Sequence, residues 1–285
     1  MQSNCFFCHL RTLEKQILKF EPDESVRQQL IGEFIDRFEE LRRENNPIVA
    51  REIHALIRKH LNEPDPFKVE KAESNKQAEK LADVWRIKLQ TRENNVFEAL
   101  KLALAANIID FGPGHNFDIE KDIERIRKLP LSIDHSDNLI SDLNNSQSLF
   151  YITDNAGEIV FDKLLLEQIS VPEINIGVRG YPIINDATAD DARKVGLNKI
   201  GTIIPNGNDA PSTLLDQCTP DFVRAFDKAD VIIAKGMGNF EGLMHINDSR
   251  LYFVLVIKCD AIGQFIGKKT GDTVVVNSTY LHRQS

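Results

Sequence analysis

Three short polar clusters in this chain carry the residue types that could do chemistry: Asp154-Asn155, Asn185-Asp186 and Lys235-Gly236. Carboxylate and amide oxygens are hard donors suited to a divalent metal. A lysine among glycines offers positive charge and close backbone approach to a phosphate. The first cluster follows the apolar run Leu149, Phe150, Tyr151, Ile152, and Ile159, Leu164, Leu165, Leu166 and Ile169 then recur at helical spacing. Asp154 and Asn155 therefore stand at the carboxyl end of a strand, the edge where open α/β sheets bind ligands and anions. The plainer use of either residue is to cap the following helix, and taken alone that use is the commoner one.

Two more strand ends shift the weighting. Residues 174–178 read as a strand running into Arg179-Gly180, and Asn185-Asp186-Ala187-Thr188 then precedes a helical stretch over 189–195. The apolar run 231–234 opens into Lys235-Gly236-Met237-Gly238-Asn239-Phe240-Glu241-Gly242. One parallel sheet would bring the three edges together. Glu158 either orients a water or is a first-turn acid favoured by the helix dipole. Arg179 is a candidate phosphate partner, although most arginines are solvated. Gly157, Gly236 and Asn239 are further candidates for phosphate contact, and Glu241 for contact with substrate or water. Asn107 and Asp110 lie where a helical run ends before Gly112-Pro113-Gly114, either as a wall of the site or as local turn residues.

The segments ANIIDFG, TDNAGEIVFDKLL, PIINDATADDA and AKGMGNFEGL, in this order between residues 106 and 242, closely resemble the damage-control phosphatase family. That family was long a domain of unknown function and was once described as acidic-residue methyltransferases. The resemblance implies a metal-dependent phosphatase acting on small phosphorylated metabolites such as sugar phosphates, phosphopantetheine-like compounds or damaged cofactor intermediates. It implies that Asp154, Asn155 and Asp186 bind the divalent metal and that Lys235 contacts the phosphate. Manganese, magnesium, cobalt and nickel are all compatible with it.

The residue chemistry agrees. Two carboxylates and an amide oxygen form an oxygen-only set, whereas zinc usually recruits histidine or cysteine. The mechanism expected has the metal polarise a phosphoryl oxygen and activate water, with Asp154, Asp186 and Lys235 as the catalytic residues. Lys235 and the N–H groups near Ala156, Gly157 and Glu158 would balance charge. A methyltransferase would need a glycine cofactor loop in the first strand–helix unit; Gly236-x-Gly238 comes late and follows Lys235. A non-catalytic phosphate-binding module is the other alternative. An aspartyl-nucleophile phosphatase is disfavoured because Asn155-Ala156 follows Asp154.

A chain of 285 residues with 42% hydrophobic content can bury a sizeable core, and a net charge of −8 makes nucleic acid a poor partner. No apolar stretch approaches the roughly 20 residues that span a bilayer, and no secretory pattern opens the chain, so a cytoplasmic location is expected. Cys5 and Cys8, followed by His9, have the spacing of a haem attachment, half a zinc site or a redox dithiol. Haem attachment requires export and zinc needs two further ligands, so a structural or incidental role leads. The oligomeric state is not legible.

The fold expected is α/β: a helical domain over 1–146, then a doubly wound, mostly parallel Rossmann-like metal- and phosphate-binding domain over 147–285. Helices are expected over 10–19, 25–45, 48–61, 67–90, 94–106 and 118–129, then a loop over 132–145. The only tryptophan, Trp85, is expected to pack between helices. Strands are expected over 149–153, 174–178, 201–204, 231–234, 252–257 and 273–277, the last two forming an antiparallel edge. The loop over 203–212 would border the pocket, with Ser212 and Thr213 capping the next helix or donating to phosphate.

Overall fold

The structure is a computed structural model that describes residues 3–20, 22–90, 95–107 and 119–283. Six helices come first: α1 (Ser3–Phe20), α2 (Glu24–Leu41), α3 (Asn46–Leu61), α4 (Lys68–Gln90), α5 (Asn95–Ala106) and α6 (Ile119–Arg127). Their starts follow the polar punctuation of the sequence. Asp23 and Asn45 each accept a backbone N–H three residues on, at 3.0 Å, and Pro47 occupies the first turn of α3.

Strands and helices then alternate: β1 (Ile133–Asp134), α7 (Ser136–Asn145), β2 (Ser148–Ile152), α8 (Glu158–Leu166), β3 (Glu173–Val178), α9 (Ala189–Lys194), β4 (Thr202–Pro205), α10 (Pro220–Lys228), β5 (Val231–Lys235), α11 (Gly236–Leu243), β6 (Leu251–Val256), α12 (Asp260–Ile266), β7 (Thr273–Asn277) and α13 (Ser278–Arg283). The sheet runs β1-β7-β6-β5-β2-β3-β4. All its pairings are parallel except β6 with β7. The chain leaves β2 toward β3 and β4 and returns on the other side as β5. The carboxyl ends of β2, β3 and β5 thus meet at a topological switch point.

The period-two alternation of the strands divides the core. Leu149, Tyr151, Ile176, Ile233 and Val254 face a layer containing α4, α5 and α8, with Trp85 buried among them. Phe150, Ile152, Ile232 and Phe253 face α10, α11 and α12 through Phe222, Phe240 and Ile262. Each such fully buried Leu, Ile or Phe contributes about 1.5–3 kcal/mol. The helices α1, α2 and α3 close around a separate cluster of Leu13, Ile17, Leu30, Phe34, Val49 and Ile53, and α3 lies against α11.

Two expectations are corrected. The segment 132–145 is not a loop: it holds β1 and α7, and β1 joins the sheet from the amino-terminal side of residue 147. The β6–β7 pair is antiparallel as expected but is not the edge, because β1 pairs in parallel with β7 beyond it. No helix among the described residues is long and apolar enough to cross a membrane.

Candidate active site

The first two polar clusters are hydrogen-bonded onto each other through the backbone. Asn155 and Asp186 form an isolated antiparallel bridge; Ala156 N–H donates to Asn185 O and Ala187 N–H to Asp154 O, both at 2.8 Å. Neither cluster caps a helix. Gly157 opens α8 at φ +83°, and Thr188 opens α9 in a capping box with Asp191. Freed from capping, Asp154 and Asp186 are buried at 6% and 4% exposure and face one another's loop.

Their hydrogen bonds leave oxygens open. Asp154 Oδ2 accepts from Asn107 Nδ2 at 3.1 Å and Asn155 Nδ2 at 3.0 Å, while Oδ1 has only Arg179 Nη2, at 3.8 Å. Asp186 Oδ2 accepts from Arg179 Nε at 2.6 Å. Asn155 Nδ2 also donates to Glu158 Oε1 at 2.7 Å. One side-chain oxygen each of Asp154, Asn155 and Asp186 is thereby left without a donor among the described residues. Such a set suits a hard divalent cation. Charge argues the same way: Asp154, Glu158, Asp162 and Asp186 are four buried carboxylates in contact with two buried cations, Arg179 and Lys235. Among the described residues no three His, Cys, Asp or Glu side chains form a metal-holding group, so the fit depends on the Asn155 amide oxygen.

Both cations are buried and tethered. Lys235 Nζ donates to Asp162 Oδ1 at 2.6 Å and to Ala103 O at 3.1 Å, and stands 3.9 Å from Glu158 Oε2. Burial would lower its ammonium, but the Asp162 and Glu158 charges outweigh that and hold it above its ordinary value. Arg179 also donates from Nη1 to Asn239 Oδ1 at 2.8 Å, and its Nη2 has no hydrogen-bond partner. A solvated place for Arg179 is thus overturned. Asn239 Nδ2 donates in turn to Thr153 O and Lys235 O, tying the three strand ends together. Burial, then the Asp154 charge, pushes Glu158 up to about 7. Burial likewise raises Asp186 to about 6 against the pull of Arg179.

With the geometry established, comparison with known proteins decides the family. Residues 1–274 match the Damage-control phosphatase ARMT1-like domain. The chain belongs to the damage-control phosphatase family. It is 40% identical over 240 residues to damage-control phosphatase PH1575 of Pyrococcus horikoshii, covering 82% of each chain. A damage-control phosphatase of Archaeoglobus fulgidus is 30% identical over 258 residues, covering 87% of this chain and 90% of that one. The crystal structure of the DUF89 family protein PH1575 superposes with a TM-score of 0.91 at 35% identity, covering 98% of this chain and 99% of that one.

In this family member the sheet edge gathers Asn107, Asp154, Asn155, Gly157, Glu158, Arg179, Asp186, Lys235, Gly236 and Asn239. Asp110 lies outside the described residues. Gly236 sits at φ +80°, and a Cβ there would fall 1.9 Å from Asp154 Oδ2, so only glycine lets β5 turn into α11 so close to that carboxylate. Gly236 and Gly238 begin a helix rather than a cofactor loop. Two of the expected charge-balancing N–H groups are already used: Ala156 donates to Asn185 O and Gly157 to Asn75 Oδ1. Ser212 and Thr213 cap nothing; their hydroxyls donate to Gly238 O and Asn239 Oδ1 and so hold α11 in place.

Glu241 stands apart, half-buried in the wall of a cleft of about 720 Å³ between α1, α3 and the α11–α12 side. Burial raises its carboxyl to about 7. Cys5, Cys8, His9, His54, Met237, Gly238 and Lys258 line the same cleft. The cysteine pair is therefore beside this cleft, with Asn46 Nδ2 donating to Cys5 Sγ at 3.5 Å. Sequence reasoning missed Asp162, fully buried on α8 one turn beyond Glu158, and Tyr151, whose hydroxyl donates to Asp162 Oδ1 at 2.7 Å. A carboxylate inside the apolar run of α8 was the available signal.

Proposed function

We propose that this chain is a divalent-metal-dependent phosphomonoester hydrolase acting on a small phosphorylated metabolite, R–O–PO₃²⁻ + H₂O giving R–OH and phosphate. One observation carries the reading: Asp154, Asn155 and Asp186, bridged through their backbones at one sheet edge, each keep a side-chain oxygen without a donor among the described residues, beside excess buried negative charge. Membership of a phosphatase family supports it. Asp154, Asn155 and Asp186 would hold the ion, and manganese, magnesium, cobalt and nickel all suit these donors. When bound, the ion supplies Lewis acidity toward a phosphoryl oxygen and the hydrolytic water.

The protein groups do the rest. Arg179 Nη2, buried without a hydrogen-bond partner and 3.8 Å from Asp154 Oδ1, is the donor poised for a phosphoryl oxygen. Lys235, pinned by Asp162 and the Ala103 carbonyl, keeps its charge beside the site without needing to reorganise. Glu158, its carboxyl raised to about 7 by burial, orients the attacking water and in its ionised form takes the water's proton on Oε.

The test is a panel of phosphate esters assayed with each divalent metal, alongside metal content. Asp154→Ala and Asp186→Ala should lose the bound metal and at least about 10³-fold in turnover while remaining folded. Undiminished metal stoichiometry in both variants would sink the ligand assignment.

A further inference from the structure

The residues Ile183 to Asp186 form a tight turn, closed by the Asp186 N–H donating to Ile183 O at 3.0 Å. Ile184, the first of its two central residues, has φ +44°, and Asn185, the second, is not at positive φ. That is the pattern of a type II′ turn, whose first central position usually holds glycine. A β-branched residue there is strained and persists only where its surroundings over-determine it. Among the described residues the other non-glycine at positive φ is Asn62, which ends α3 in the ordinary way for asparagine. Ile184 ends no helix.

The surroundings that hold it come from α3 and the start of α4. Arg58 on α3 donates from Nη1 to Pro182 O at 3.1 Å and from Nη2 to Asp209. Ile183 is buried, and the half-buried Ile184 shares with His54, Ile57 and Phe67 a void of only about 10 Å³. The turn supplies the joint between the first two polar clusters, where Asn185 O takes the Ala156 N–H and Asp186 bridges Asn155. We propose that Ile184 is a positioning residue of the metal site: anchored against α3 at positive φ, it presets the turn that brings Asp186 to Asp154 and Asn155. This inference rests on the reading of those three residues as metal ligands. A loose turn would have to be ordered as the ion binds, whereas a turn already locked carries no such cost, so the effect falls on metal affinity.

The experiment titrates the full-length protein, stripped of metal, with manganese by calorimetry, and compares Ile184→Val, Ile184→Gly and Ile184→Ala. Ile184→Val keeps the branched side chain and its strain, and should bind within about twofold of wild type. Ile184→Gly loses the anchor but adopts the positive φ freely, so manganese binding should weaken about fivefold. Ile184→Ala loses the anchor and keeps the strain, so the loss should be larger, about thirtyfold. A residue that only fills space would rank by side-chain volume, with Ile184→Ala binding more tightly than Ile184→Gly. That order, or wild-type affinity in both, would overturn the proposal. Should Ile184→Ala not fold, Ile184→Asn and Ile184→Ser carry the same comparison, and Ile184→Asn, which tolerates this φ, should bind the more tightly. If the wild type binds no divalent cation, the phosphatase reading loses its metal and amide exchange decides Ile184 by itself. The Ala156 and Asp186 N–H groups should then exchange faster in Ile184→Gly than in wild type, and faster again in Ile184→Ala. Equal exchange in all three would overturn the assignment.

Discussion

Two buried lysines of this protein stand in opposite situations. Lys71, on α4 and 2% exposed, meets Asp65 at 2.9 Å and Asp191 at 3.0 Å. The same Asp191 oxygen also accepts from the N–H and hydroxyl of Thr188. That network joins α4 to the start of α9. Lys235 has a comparable grip on Asp162, yet beside it Asp154, Asn155 and Asp186 each keep an oxygen free. Both lysines are held above their ordinary value against burial by carboxylate neighbours, Asp191 for Lys71 and Asp162 for Lys235. Lys71 has one unsatisfied acceptor beside it, the buried Asp65 Oδ1, so a candidate catalytic ion pair is set apart from a structural one by several open acceptors gathered at one sheet edge. Burial and charge alone do not make the distinction.

The comparison is broken most forcefully by removing each lysine. Lys235→Met and Lys71→Met should each destabilise by about 3–5 kcal/mol, since each strands buried carboxylates. Pairing each change with neutralised partners separates the roles. Lys235→Met with Asp162→Leu should recover much of the stability yet remain roughly 10²–10³-fold slow in phosphate release with its metal still bound. Lys71→Met with Asp65→Asn and Asp191→Asn should recover both. Near-normal hydrolysis by the first combination, measured with its melting temperature and metal content, would remove Lys235 from the chemistry.

A smaller effect comes from pH. Glu158 and Asp186 have folded values of about 7 and 6, above their ordinary 4.5 and 3.8. Between those limits the metal-free native state binds more protons than the unfolded chain. The stability these two groups contribute is therefore fully present below about pH 4 and is lost as pH rises through 6 and 7. A bound cation favours the ionised carboxylates, so metal affinity should rise across the same window. Thermal melts in chelator at pH 5, 6, 7 and 8 should show the decline, and saturating metal should abolish or reverse it. A chelated protein that grows more stable from pH 5 to pH 7.5 would contradict the buried, uncompensated carboxylates.

Legibility in the sequence followed the range of the interactions. Asp154, Asp186 and Lys235 could be read because each ends an apolar run, and a parallel sheet necessarily gathers such ends. The strands β2 to β7 were legible for the same reason. The two-residue β1 has no periodicity to detect, and its place depends on pairing with Val274 and Val275 far along the chain. Asp162 stands in the apolar run of α8, but nothing near it in the chain marks its charge partner. Its partner Lys235 is 73 residues away. Arg179 gave no sign of burial, because nothing local predicts that Asp186 and Asn239 will close around it. Gly236 was readable as a close-approach residue, though not that Asp154 is the group approached.

The finest test of the comparison is Tyr151→Phe. The Tyr151 hydroxyl donates to Asp162 Oδ1, the oxygen that also receives Lys235, while Asp162 Oδ2 is buried without a partner. The ring lies in the core of β2 at 0% exposure, and phenylalanine fills nearly the same volume, so packing is kept and one hydrogen bond to a charged acceptor is lost. That loss is worth about 1.5–3 kcal/mol. Part of it falls on global stability. The rest appears at the site, because an Asp162 carboxylate with one donor fewer draws Lys235 more strongly toward itself and away from Glu158. Turnover should fall a few-fold with KM and metal content nearly unchanged. Among the described residues Lys71 has no such aromatic donor behind its carboxylates, so no equivalent change on that side should touch kcat. If Tyr151→Phe lowers the melting temperature and leaves kcat at the wild-type value, the Tyr151–Asp162 bond belongs with the Lys71 network as structure alone.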